Sequence, residues 1–155
     1  METSEIQELL EMMNVLKKQE QSLSINPQAL MVDPIVSNKL AVELLQKVDR
    51  EAKPEIVLSL SGVDSYFAYN IALSAWMKFG VCDFESEEIT SSLSLKKKDK
   101  VIVVLDTFNE EIAQKLISFV ESKEARVMAV LSLVGAKLND RKYSLSFTSL
   151  VFIFV

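Results

Sequence analysis

The stretch Val101–Ala113, VIVVLDTFNEEIA, constrains this chain more than any other. A short, unbroken apolar run is what a strand shows when both faces of its sheet are covered, and that arrangement belongs to parallel sheets. The run ends in a single acid, Asp106. A turn follows, and then a helix that opens with Glu110 and Glu111. Strand, turn and helix in this order are how many α/β proteins place a phosphate or ribose site at the carboxyl end of a strand. Here the turn has no glycine and the helix entrance is already negative. The architecture of a nucleotide site is present with its chemistry altered.

Periodicity extends the reading over the whole chain. Ser4–Gln21 reads as a helix, opened by a capping box of Ser4 and Gln7, with Ile6, Leu9, Leu10, Met13 and Leu16 on one face. Ser22–Met31 reads as a connection. Asp33-Pro34 starts a second helix, which keeps its spacing through Val48. Glu55–Ser61 is a strand. Phe67, Ile71, Ala75 and Phe79, beside Ala68, Ala72 and Trp76, predict a helix with a wide buried face, ended by Gly80. Val81–Phe84 is a short strand, and Glu85–Lys100 a polar segment. Asn109 caps a helix through about Ser122. Arg126–Val134 is a buried strand, Ala136–Tyr143 a loop and Leu145–Phe154 a terminal strand. Buried strands alternating with helices predict an α/β protein of three layers, a mainly parallel sheet with helices on both faces. The length of 155 residues suits a single domain over 1–155. Its parts are an N-terminal helix and connection over 1–27, a core over 28–135 and a C-terminal loop and strand over 136–155.

Composition excludes several chemistries. The formal charge is −5, so nucleic acid is not expected as a partner. There is no histidine, which removes the commonest general base, the usual nucleophile triads and any histidine metal site. Cys82 is the single cysteine and has no histidine to activate it. A lone cysteine and an acidic N-terminus without an apolar signal core fit the cytoplasm. The apolar C-terminus is too short for a membrane span.

The candidate ligand residues lie in two strand-to-helix turns. Asp106 either accepts hydrogen bonds from ribose hydroxyls or holds nearby backbone N–H groups as a turn-forming acid. Beside it, Thr107 and Asn109 stand where a phosphate cradle would be. Phe108 brings bulk to that turn, and Glu110 and Glu111 occupy the positive end of the helix dipole. Ser61, Gly62, Asp64 and Ser65 form the other turn, whose glycine and hydroxyls suit a small anion or serve as a helix cap. Lys96–Lys100, KKKDK, is the one dense basic run. It is either a phosphate contact or a charged turn before a buried strand.

These segments resemble the type I phosphoribosyltransferases, orotate phosphoribosyltransferase above all. The likeness runs from about Gln28 to Gly135. ALMVDPIVSNKLAVELLQKV is similar to the helix leading into the family's core. EIVLSLSGVDSYFAYNIAL is similar to its pyrophosphate-loop strand, turn and helix. KKKDKVIVVLDTFNEEIAQKLISFVESKEARVMAVLSLV matches the length and register of its signature strand, turn, helix and strand. The resemblance implies paired acids after the apolar run, and Leu105 stands where the first would be. It implies a small, Thr- and Gly-rich phosphate loop, replaced here by Asn109–Ala113. Gly62 alone remains of the pyrophosphate-loop glycines. The family's mobile loop with its lysine and histidine is reduced to roughly Glu85–Leu95, which has neither. Losing several charge-assisted contacts, at about 1.5–3 kcal/mol each, costs many decades of affinity for phosphoribosyl pyrophosphate.

The resemblance therefore implies a phosphoribosyltransferase-like protein with a degenerate site, a regulatory or assembly module with weak nucleotide or phosphate binding. The alternatives are an active orotate- or pyrimidine-type transferase, with a lysine of Lys96–Lys100 at the developing charge, and a structural subunit of a larger complex. No cofactor or metal is expected, with Mg²⁺ entering only alongside catalysis. No membrane partner is expected either. The family's habit implies a homodimer, for which the apolar first helix and last strand are the candidate interface elements.

Overall fold

The computed structural model describes residues 1–19, 22–85, 87–136 and 146–153. Helix α1 (Thr3–Met12) is followed by a hairpin of β1 (Leu16–Gln19) and β2 (Ser22–Ile25), a 3-10 turn (Pro27–Met31) and α2 (Pro34–Leu45). Then come β3 (Ile56–Leu60), α3 (Asp64–Ala75), β4 (Lys78–Glu85), β5 (Glu88–Ser91) and β6 (Lys100–Thr107). Helix α4 (Glu110–Ser122), β7 (Arg126–Ala136) and β8 (Ser146–Ile153) complete the described order. The main sheet runs β5-β4-β3-β6-β7-β8, parallel throughout except for the antiparallel β4–β5 pair. The expected three-layer α/β architecture is what the chain adopts.

Two cores follow from the alternation of side chains along each strand. Val57 of β3 and Ile102 and Val104 of β6 pack with α1, α2 and α3. Ile56 and Leu58 of β3 and Val101, Val103 and Leu105 of β6 pack with Ala113, Leu116, Ile117 and Val120 of α4. A strand buried on both sides has no polar face, which is why 101–105 is apolar without a break. At α2, the Asp33 side chain accepts from the Ile35 and Val36 N–H groups at 3.1 Å, as the Asp-Pro start predicts.

Several expectations need correction. The first helix ends at Met12 rather than Gln21. Asn14 adopts φ +60°, the Asn14 N–H donates to Glu11 at 3.1 Å and the Val15 N–H to Leu10 at 2.9 Å. This is a Schellman stop, and Leu10 and Val15 on either side of it are buried in the same core cluster. The chain then enters β1 and β2, so Ser22–Met31 is strand and 3-10 turn instead of plain connection. At the helix start the Glu2 N–H donates to Glu5 at 2.9 Å, in place of a Ser4–Gln7 box. Ile6 and Leu10 of α1 lie in the core, with Leu9 and Met13 partly buried against it.

The third helix stops at Ala75, with Trp76 in the left-handed region at φ +57°. Gly80 lies inside β4, where an added Cβ would meet Leu93 Cβ at 2.8 Å and Leu58 Cδ2 at 2.9 Å. That glycine serves close packing of the β5 side on the sheet, not a helix stop. Trp76 is exposed, not part of a buried face. Finally, Glu85–Leu95 contains an antiparallel hairpin arm, with Glu85 opposite Glu88 and Cys82 opposite Ser91. The expected loop at 137–143 lies outside the described residues.

Candidate functional site

The carboxyl ends of β3 and β6 lie side by side, because Ser59 pairs with Val104 in parallel register. Each is followed by a turn into a helix, α3 and α4, and all of the candidate residues lie in or directly beside these two turns. This is the place where open α/β sheets bind ligands.

Asp106 is buried at the end of β6 with 1% of its surface exposed, and neither carboxyl oxygen has a hydrogen-bond partner. By the alternation of β6 its side chain falls on the side of Ile102 and Val104, toward α3. Asp64, in the first turn of α3, accepts a hydrogen bond from the Asp106 backbone N–H at 3.0 Å. One carboxylate thus fastens the α3 turn to the end of β6. Burial first, and then the Asp64 charge, push the Asp106 carboxyl up to about 8. At neutral pH it holds its proton, and a protonated carboxyl is a donor as well as an acceptor.

The β3 turn is held from within. The Ser61 N–H donates to the Cys82 carbonyl at 3.0 Å, and the Ser61 hydroxyl donates to the Asp83 carboxylate. Gly62 has φ +90°, and a Cβ placed on it would meet no atom within 4 Å, so it is there for its backbone and its surroundings are open. The Ser65 hydroxyl donates to the Gly62 carbonyl at 2.5 Å. Asp83 is a contributor that sequence reading missed. Its contact spans 22 positions, and nothing local marks it.

In the β6 turn, Thr107 is exposed and Phe108 half-buried against the α4 core, its N–H donating to the Val134 carbonyl at 2.8 Å. Asn109 caps α4, its side chain accepting from the Ile112 N–H at 3.1 Å. Glu110 and Glu111 are exposed in the first turn, and Glu111 pairs with Lys115 at 3.3 Å. The helix entrance therefore has its cap supplied by Asn109 and two carboxylates at its positive end. The field there repels an incoming anion.

The structure brings together Asp64 and Asp106, and gathers Ser61, Gly62 and Ser65 in one turn. It does not bring Lys96–Lys100 to them. That run precedes β6, and the rise of a strand puts it roughly 20 Å from Asp106 at the opposite end of the sheet. There the Lys96 N–H donates to the Asp99 carboxylate at 2.7 Å and Lys97 pairs with Glu124 at 3.6 Å, making a charged turn. The expectation of a lysine from this run at the reacting centre is overturned by the direction of β6.

Mg²⁺ asks for a near-octahedral set of oxygens. Among the described residues no group of three or more carboxylate, thiol or imidazole side chains converges to hold an ion. Cys82 is buried, and that burial pushes its thiol up to about 11, far from a working nucleophile at neutral pH. An open groove of about 680 Å³ lies elsewhere, between the β4–β5 hairpin and α4, and none of the candidate residues lines it. Among the described residues no helix is long and apolar enough to cross a membrane.

Fold and geometry together define a three-layer α/β protein with a mainly parallel sheet, whose candidate residues lie at the carboxyl ends of β3 and β6. Solved structures make the class narrower. The chain matches orotate phosphoribosyltransferase from Aeropyrum pernix with a TM-score of 0.77 and 17% identity, over 94% of this chain and 92% of that one. Adenine phosphoribosyltransferase from Leishmania tarentolae gives 0.74 at 15% identity, over 98% and 89%. Leishmania donovani UMP synthase gives 0.75 at 16% identity, where this chain covers 97% of itself and only 36% of the other. No family model matches the sequence, and no curated protein is similar to it in sequence. The fold is that of the type I phosphoribosyltransferases.

Proposed function

We propose that this protein is a phosphoribosyltransferase-fold module that does not catalyse transfer. It acts in regulation or assembly and keeps at most weak binding of a nucleotide or phosphorylated small molecule near Gly62–Ser65 and Asp106. The observation that carries this reading is the burial of Asp106. The acid that a ribose would need is 1% exposed and faces Asp64 across the α3 turn. The phosphate position supports it, since Asn109 already caps α4 and Glu110 and Glu111 make its entrance negative. Lys96–Lys100, the densest positive charge in the chain, stands at the far end of the sheet.

Calorimetry and turnover assays with phosphoribosyl pyrophosphate and orotate test the proposal. The expected result is no turnover, and binding no tighter than the millimolar range. Turnover at ordinary enzymatic rates, lost in Asp106→Asn, would sink it.

A second reading, an active orotate- or pyrimidine-type transferase, is favoured by one observation. The Gly62 turn is open, with φ +90°, at the carboxyl end of β3. In that reading a pyrophosphate sits on the Gly62–Ser65 backbone and carries its own Mg²⁺. The same assays separate the two.

A further inference from the structure

The two faces of the sheet are covered unequally. Helices α1, α2 and α3 close one face, and among the described residues α4 is the only helix on the other. The cause is the connection from β4 to β6. Parallel crossovers are right-handed, so a connection returning from β4 across β3 to β6 passes over the α4 face. In β3–α3–β4 and β6–α4–β7 the crossover is a helix. Between β4 and β6 it is the β5 arm and a coil, with no helix among the described residues. Leu93 and Leu95 of that coil pack on the core. Beyond them lies the open groove of about 680 Å³ between the hairpin and α4.

The floor of this groove is apolar and aromatic. Phe84 stands opposite Ile89 in the β4–β5 register, and both fall on the side of Cys82, toward α4. Phe119 of α4 lines the other wall. Phe84 is 40% exposed, and Ile89 and Phe119 are half-buried. The rim is negative. Glu87 and Glu88 of the hairpin are exposed there, and neither takes part in an ion pair among the described residues. Across the groove Lys115 is already paired with Glu111 at 3.3 Å. Its ammonium also lies 5.8 Å from the centroid of the Phe84 ring, a distance at which a ring face attracts a cation. The groove thus keeps two carboxylates without a counter-charge beside an apolar floor.

We propose that this groove docks a basic amphipathic helix of a different protein. The helix lays its apolar stripe on Phe84, Ile89 and Phe119 and sets lysine or arginine against Glu87 and Glu88. Its shape follows from the topology, because the groove lies where a helical crossover from β4 to β6 would have run. Its charge follows from the rim. A second copy of this chain cannot supply it, since none of the four described α-helices carries a net positive charge. A small molecule is a poorer occupant, because ligand pockets bury about 70–90% of what they hold and this groove is open. The groove shares no residue with the turns at Asp64 and Asp106, so its occupancy is independent of any transfer chemistry there.

The test is a fluorescence anisotropy titration of the full chain into a labelled peptide of about 14 leucine and lysine residues, with the leucines on one helical face. One comparison peptide has the same composition with its leucines dispersed, and another has glutamate in place of lysine. In about 50 mM salt the first peptide should bind with a Kd of about 10–100 µM and gain helicity by circular dichroism as it does so. Both comparison peptides should bind at least about tenfold more weakly. Phe84→Gln, and separately Glu87→Lys combined with Glu88→Lys, should each weaken the first peptide at least about tenfold. Glu8→Lys combined with Glu51→Lys is the control. It makes the same change in net charge at exposed positions away from the groove, and it should bind like wild type. If Phe84→Gln fails to fold, the Glu87 and Glu88 pair carries the test. No saturation by about 1 mM, equal binding of the dispersed peptide, or indifference to both groove variants overturns the proposal. So does a loss in the control as large as that in the Glu87 and Glu88 pair.

Discussion

Replacing Asp106 by asparagine removes the cost of ionising a carboxyl that is buried beside Asp64. The group is 1% exposed, both oxygens are unpartnered, and it titrates near 8 instead of the ordinary 3.8. In the unfolded chain it ionises above about pH 4, whereas the native protein keeps the proton until about 8. Between those values the unfolded state binds fewer protons, so stability falls as pH rises. The contribution is fully present below the unfolded value and lost by the time pH passes the native one. At about 1.4 kcal/mol per pH unit, the loss at pH 7 is on the order of 4 kcal/mol. That is a large part of the roughly 5–15 kcal/mol that holds a domain together. Asparagine has nearly the same shape, cannot ionise, and offers an N–H to the Asp64 carboxylate. The variant should match wild type near pH 4 and exceed it increasingly up to about pH 8, with a gain of up to about 4 kcal/mol at pH 7. Urea unfolding at pH steps across that window measures it, and the carboxylates that do not touch residue 106 cancel in the difference. Parallel pH profiles, or an asparagine variant less stable at pH 7, would show an ionised and paired Asp106 and refute the argument.

Three further outcomes are expected. Gly80→Ala should lower stability by about 1–3 kcal/mol, seen as a drop in Tm of several degrees, because the new Cβ falls within 3 Å of Leu93 and Leu58. Cys82 should resist a thiol reagent in the native protein and react at once when unfolded, since its burial holds the thiol near 11; fast native labelling would contradict the packing of β4. Glu110→Gln combined with Glu111→Gln should cost the helix about 0.3–1 kcal/mol per charge. The same double variant should bind inorganic phosphate more tightly by calorimetry, and unchanged affinity would remove those acids from the electrostatic argument.

Much of the fold was legible because its signals are local. The apolar run 101–105 could only be a strand covered on both faces. Asp33-Pro34 and Asn109 announced their helices, and the side chains of Asp33 and Asn109 cap them as expected. The failures were also local in origin. Asn14 breaks a helical pattern that Leu16 continues in sequence, because one residue in the left-handed conformation outweighs the periodicity around it. Phe79 and Gly80 fitted the end of a helix until pairing with β3 claimed them for β4.

The sequence by itself determined the alternation of buried strands and helices, the absence of histidine chemistry and the negative entrance of α4. These depend on residue type and on neighbours within a few positions. Tertiary structure alone decided where charge and polarity end up. It drew Asp64 onto the Asp106 backbone across 42 positions, sent Lys96–Lys100 to the far end of the sheet, and left Trp76 on the surface. The reason is that the cost of a buried carboxyl, the reach of a lysine and the cover over an aromatic ring are set by neighbours that only the folded chain supplies.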